Sequence, residues 1–242
     1  GNDVFQVSVD ANGNVTLNQF RSIIHANGAN PDDVSAAIAA NAITLTAFIT
    51  DRDGDSANTA IAIGDKFSFR DDAPSVSTNT VSTVLEVDET VLTSSNDSEN
   101  FASAFTVNYG ADGAGSTVYS LGVTDGTNSG LVDVASGSAI LLCQVSAGVV
   151  EGRVGGIGGT AAFRISVIDA AAGQVELDQI RALRHLDTAN TNEFVRIDAN
   201  TVKLIANVTD KDGDVNSAAS IDLGVKVAFH DDAPTFGTAG TL

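Results

Sequence analysis

Two aspartate-rich segments constrain this chain more than any other feature. "ITDRDGDSANTAIAIGDKFSFRDDAP" occupies residues 49–74, and "VTDKDGDVNSAASIDLGVKVAFHDDAP" occupies 208–234. Residues 43–55 align with 202–214 at an offset of 159, and 60–75 align with 220–235 at an offset of 160. The likeness continues upstream: "VTLNQFRSIIH" at 15–25 matches "VELDQIRALRH" at 175–185, and "FQVSV" at 5–9 matches "FRISV" at 163–167. Self-similarity at a fixed period marks a repeat architecture, and units of about 160 residues are long enough to carry their own cores. The spacing divides the chain into residues 1–75, the C-terminal part of a first repeat, residues 76–235, a complete second repeat, and residues 236–242, a linker or the start of a further repeat.

The local pattern within each repeat is that of strands. "ITLTAFIT", "AIAIGDKFSF", "VKLIANVT" and "SIDLGVKVAF" alternate apolar and polar residues. Turns rich in Gly, Asn, Asp and Ser, such as "DANGN" and "TDGTNSG", separate them. Two segments read as short helices: "LNQFRSIIH", with Leu17, Phe20 and Ile24 on one face, and "NPDDVSAAIAAN", with an Asn-Pro start and an alanine-rich body. The expected fold is mainly β, as antiparallel Ig-like β-sandwich modules in tandem with one or two short helices per module.

Net charge is −19. That balance argues against nucleic acid and anionic membrane surfaces, both of which need Lys and Arg to neutralise phosphate. No apolar run approaches the ~20 residues of a membrane-spanning helix, so direct membrane insertion is not expected. The acids are 25 Asp against 6 Glu. Glu is the better helix former, whereas Asp favours turns, caps and hard-cation sites. The single Cys143, in "LLCQV", reads as a small apolar strand residue without the His partner of a catalytic thiol.

"DRDGD" and "DKDGD" place Asp51, Asp53, Asp55 and Asp210, Asp212, Asp214 around a glycine turn. Calcium takes six to eight oxygens, and closely spaced carboxylates supply them. An EF-hand loop is excluded, because its twelfth position holds Ala62 in one copy and Ile221 in the other where a Glu is required. Asp71 with Asp72, and Asp231 with Asp232, end each repeat before Pro74 and Pro234. Glu86, Asp88 and Glu89 in "LEVDET" follow the first pair, so acids on both sides of a repeat boundary are candidates to share a Ca2+ ion. His25 and His185 occupy equivalent positions and read as packed structural residues. "GRVGGIGG" at 152–159 lacks the Lys-Ser/Thr ending of a phosphate loop and reads as a hairpin turn.

Taken together, "TDRDGD…IGDKFSFRDDAPS" and its twin resemble the recurring extracellular modules of large RTX adhesins of Gram-negative bacteria, which leave the cell by type I secretion. "SGLVDVASGSAILLCQVSAGVVEGRV" at 129–154 and "VTLNQFRSIIH" resemble the same split or extender module. The glycine-rich nonapeptide of RTX β-rolls is missing, since "VGGIGGTA" carries no Asp in place. The resemblance implies a non-enzymatic, calcium-dependent structural module. It would act at the cell surface in adhesion or biofilm formation, with neighbouring repeats as partners and any host or surface ligand met through another domain. A module that itself binds sugar or peptide is the alternative. An aromatic content of 5% with no Trp counts against a sugar cleft, for binding or cleavage.

Overall fold

A computed structural model describes residues 2–25, 27, 30, 32–34, 37–187, 189–190 and 192–232. The expected linker at 236–242 and Pro234 lie outside the described residues. The chain is mainly β, with sheets built almost wholly from antiparallel pairs, and forms two compact units. One unit gathers residues 1–75, 108–116 and 208–216, and the other holds 76–107, 117–207 and 217–242. The segments 108–116 and 208–216, which follow residue 75 in the second sequence repeat, pack with residues 1–75 in the first unit.

The first unit contains two hairpins. Phe5–Val9 pairs with Val15–Gln19, and Asp10 closes the turn by accepting from the Asn12 and Asn14 amides at 2.9 and 2.8 Å. Thr44–Thr50 pairs with Ser56–Ala62 in continuous register around the DRDGD turn. This second hairpin is solvated on both faces: Phe48 is 73% exposed and Ile49 is 70% exposed. Apolar packing in this unit centres on Phe67 and Phe69, with the Phe5 and Phe69 rings 5.3 Å apart.

The second unit has a large core. A six-stranded sheet runs in the order 128–132, 139–146, 149–154, 161–169, 174–179 and 96–100. A three-stranded sheet joins Phe194–Arg196, Val227–His230 and Leu85–Asp88. Ile140, Leu142, Phe163, Ile165 and Leu177 from the first sheet share one buried cluster with Leu85, Val87, Val227 and Phe229 from the second. The Phe163 and Phe229 rings meet at 5.2 Å and 51°, the tilted geometry that ring quadrupoles favour. Val227–His230 pairs parallel to Leu85–Asp88, an exception to the antiparallel expectation. Cys143 is buried in its strand, and residues 155–160 turn between two strands with Gly155 and Gly156 at positive φ, as their sequence suggested.

The expected helices do not form among the described residues. "VTLNQ" is a strand, as is its counterpart "QVELDQ". Val15 and Leu17 alternate with Thr16 and Asn18, and pairing with Phe5–Val9 prevails over the weaker three-to-four spacing of Leu17, Phe20 and Ile24. In "NPDDVSAAIAAN" the described part holds a bridge from Ala37 to Ser68 and a single 3-10 turn at Ala40–Ala42. Pro31, Ser35 and Ala36 lie outside the described residues.

Candidate metal centre

The two Asp-Gly loops share one backbone design. In each, the first Asp accepts from the amides three and four residues on: Gly54 and Asp55 donate to Asp51 Oδ1 at 3.1 and 2.9 Å, and Gly213 and Asp214 donate to Asp210 Oδ1 at 3.1 and 2.8 Å. The first Asp amide also donates to the fifth residue's carbonyl in both, at 2.9 and 3.1 Å. Gly54 and Gly213 sit at φ of 102° and 112°, a conformation that side chains with a Cβ resist. The recurring D-x-D-G-D spelling thus encodes a recurring turn.

Their surroundings differ. Asp51, Asp53 and Asp55 are all exposed. There the Asp51 carboxyl, hydrogen-bonded to Asp53 and to its loop amides, is held below the ordinary carboxylate range. In the second loop Asp210 and Asp214 are buried, and the loop meets His25, Asp71 and Asp112 within the first unit. Ligand atoms of His25, Asp71 and Asp212 lie within 4.8 Å of one another, as do those of Asp112, Asp210 and Asp212.

His25 anchors this centre. Its Nε2 lies 3.2 Å from the Phe69 carbonyl, which can only accept, so Nε2 carries a proton. Its Nδ1 lies 3.2 Å from Asp71 Oδ1 without the alignment of a hydrogen bond, and both side chains are at most 2% exposed. The His25 amide donates to Asp212 Oδ2 at 3.5 Å. Asp72 points elsewhere: its Oδ2 accepts from the Ala111 amide at 2.9 Å, holding the 108–116 segment, and the approach is close enough that Gly110 has no room for a Cβ.

Five carboxylate oxygens here are buried and have no hydrogen-bond partner: Asp71 Oδ2, Asp210 Oδ2, Asp212 Oδ1 and both oxygens of Asp214. Buried polar atoms are otherwise almost always paired. Two unit charges about 5 Å apart at an effective dielectric of ~20 repel by roughly 3 kcal/mol. Accordingly burial, reinforced by Asp71, Asp210 and Asp212, pushes the Asp214 carboxyl up to about 6. Burial and Asp212 also raise Asp210 and Asp112. Orphaned, mutually repelling oxygens on Asp71, Asp210, Asp212 and Asp214, with the His25 imidazole beside Asp71 and Asp212, form a charge pattern that a hard divalent cation neutralises.

The remaining candidates fall in the second unit. Glu89 groups with His185 and Asp231, its Oε1 3.5 Å from His185 Nε2, while it accepts from the Gln179 side chain and the Leu183 amide. Burial raises its carboxyl. Asp88 caps a turn by accepting from the Thr90 amide at 2.8 Å. Glu86 is half exposed, 3.9 Å from His230. Asp232 is exposed. Of the acids expected to share an ion, Asp71 groups within the first unit with His25 and Asp212, and Glu89 groups within the second with His185 and Asp231. Sequence reasoning missed His25, His185 and Asp112 as members. The histidines were signalled by recurring at equivalent positions beside recurring acids, whereas Asp112 lies in an ordinary "ADG" turn that carries no such mark.

A β-rich chain whose first unit gathers buried carboxylates is an acidic, mainly β protein. The chain belongs to the family described as Domain of unknown function (DUF5801), whose profile matches residues 1–64 and 84–224. No curated protein and no solved structure matches the chain.

Proposed function

We propose that this chain is a calcium-stabilised structural repeat of a secreted bacterial cell-surface adhesin. Its work is mechanical: it spaces and stiffens an array of Ig-like β-sandwich modules for adhesion or biofilm formation, without catalysis. The observation that carries the reading is the set of five buried, unpartnered carboxylate oxygens on Asp71, Asp210, Asp212 and Asp214. Asp71 belongs to the first sequence repeat and the other three to the second, so an ion bound there fastens two repeats together. Extracellular modules bind calcium with Kd of about 10⁻⁴–10⁻³ M, a range in which the ion is available outside the cell and scarce within it. Such a protein would remain loose until exported.

Residues 1–75 are proposed as the C-terminal part of a repeat. Ile49 is 70% exposed while its counterpart Val208 is fully buried, a difference expected if another segment of the same repeat covers that face.

Differential scanning calorimetry with calcium and with chelator tests the function. A ligand at ~100 times its Kd stabilises by about 2.7 kcal/mol, which for a chain of this length is a rise of roughly 5–10 °C in melting temperature. Identical transitions in the two conditions would overturn the reading.

A further inference from the structure

The metal centre in the first unit has a counterpart that reveals how it is meant to be filled. His185 and Asp231 stand 160 positions after His25 and Asp71. Their backbone frames agree. The Asp71 amide donates to the Asp33 carbonyl at 3.0 Å, and the Asp231 amide donates to the Glu193 carbonyl at 2.8 Å. Asp72 and Asp232 each donate an amide to the preceding Asp, at 2.9 and 3.0 Å. The Gln19 and Gln179 side chains each donate to the carbonyl two residues on, at 2.9 and 3.2 Å.

In the first unit an Asp-Gly loop, Asp210–Asp214, inserts its acids beside His25 and Asp71. The group in the second unit consists of Glu89, His185 and Asp231. His185 there is 4% exposed, yet neither of its ring nitrogens has a hydrogen-bond partner. Its Nε2 faces Glu89 Oε1 at 3.5 Å, and its buried Nδ1 meets no partner, the kind of gap that an ion or a water fills. Meanwhile the Asp51–Asp55 loop has the same internal hydrogen bonds as the inserted loop, the same glycine conformation, and three exposed acids.

The geometry points to a cation-bridged, head-to-tail contact in which the Asp51–Asp55 loop of one copy of this chain docks on the Glu89–His185–Asp231 group of another. The loop brings the oxygens and the group brings the imidazole and two further carboxylates, as Asp210–Asp214 and His25–Asp71 do in the first unit. Both sides are acidic and repel until a divalent cation enters between them, so association depends on the ion. The contact is heterologous, joining unlike surfaces, and therefore propagates rather than closing on itself. In a tandem array the next repeat would supply the loop at high effective concentration; separate chains need protein at about 0.1–1 mM to show the same contact. This inference rests on reading the first unit's acid cluster as a calcium site.

The test is light scattering on eluting protein at such concentrations, in calcium and in chelator, with two isosteric variants. One is Asp53→Asn with Asp55→Asn, which alters exposed side chains and keeps Asp51 to close the loop. The other is Glu89→Gln with Asp231→Asn. Wild-type chain is expected to form dimers and longer species in calcium and monomers in chelator. Each variant alone should be monomeric in calcium, and an equimolar mixture should give a dimer that stops there, since one intact loop and one intact Glu89–His185–Asp231 group remain. Wild-type chain that takes up calcium by calorimetric titration but stays monomeric would overturn the docking while leaving the calcium function standing. Association untouched by either variant would also overturn it. Absence of calcium uptake would remove both.

Discussion

Asp212 accepts a hydrogen bond from the His25 amide across 3.5 Å, joining residues 187 positions apart. Through that contact the second repeat's Asp-Gly loop reaches the closing segment of the first repeat, and the acids collect around His25. The first prediction concerns those charges. Asp214→Asn keeps the shape of the side chain and removes one buried charge. In chelator the variant should melt at a higher temperature than wild type, because repulsion with Asp71, Asp210 and Asp212 is relieved. In calcium the order should reverse, with affinity lowered at least about tenfold, or ~1.4 kcal/mol, for a lost charged ligand. Thermal melts of both proteins in both conditions check the crossover; one fixed order in calcium and chelator would contradict it.

The same group sets a pH dependence. Asp214 titrates at about 6 in the folded, ion-free chain, against 3.8 for an ordinary Asp. A raised folded value means the folded state holds the proton more tightly. The stabilisation is fully present below about pH 4 and is lost as pH rises through 6. Ion-free protein should therefore become less stable between pH 4 and 7. In calcium the trend should invert over that window, because the ion competes with the proton for the same oxygens. Melting temperature against pH, with and without chelator, reads both limbs.

Asp133 provides an opposite case in the second unit. The Arg181 guanidinium, 2.7 Å away, holds its carboxyl down to about 2, with help from the Ser136 hydroxyl and amide. A depressed folded value contributes stability above the unfolded value near 3.8 that is lost as pH falls through 2. Asp133→Asn should destabilise by roughly 1–3 kcal/mol at pH 7, since Arg181 is partly solvated. By pH 2 the variant and wild type should converge. Urea unfolding of both at the two pH values measures the difference.

The turns were legible in the sequence and the meetings were not. D-x-D-G-D predicts a glycine turn because its hydrogen bonds are local, and the loops at 51–55 and 210–214 adopt it alike. The strand spans at 44–62 and 203–222 were visible in their alternation. Which acids share a site depends on contacts between residues about 140 positions apart, such as Asp71 with Asp212 and Asp214, and no local pattern encodes them. The helical reading of "LNQFRSIIH" failed for a related reason. An isolated nine-residue helix is marginal, whereas a hairpin partner five residues upstream rewards the strand. His25 and His185 read as packing because no Ser or Cys motif accompanies them; their recurrence beside the recurring Asp71 and Asp231 is the signal of a shared site.

The two repeats also permit a matched comparison of core energetics. Leu45 and Leu204 are equivalent in sequence, and Leu204 is fully buried in the second unit's core while Leu45 is half buried in the solvated first-unit hairpin. Leu204→Ala removes packed methyl groups from a site enclosed by other core residues and should cost about 2–5 kcal/mol. Leu45→Ala, in a hairpin that exposes Phe48 and Ile61, should cost under ~1 kcal/mol for the little surface it covers. Chemical denaturation of each variant against wild type gives the two values. Equal losses at the two positions would mean that the first hairpin is packed in solution as its twin is. A large loss at Leu204 alone would establish that identical residues at equivalent places contribute according to what covers them.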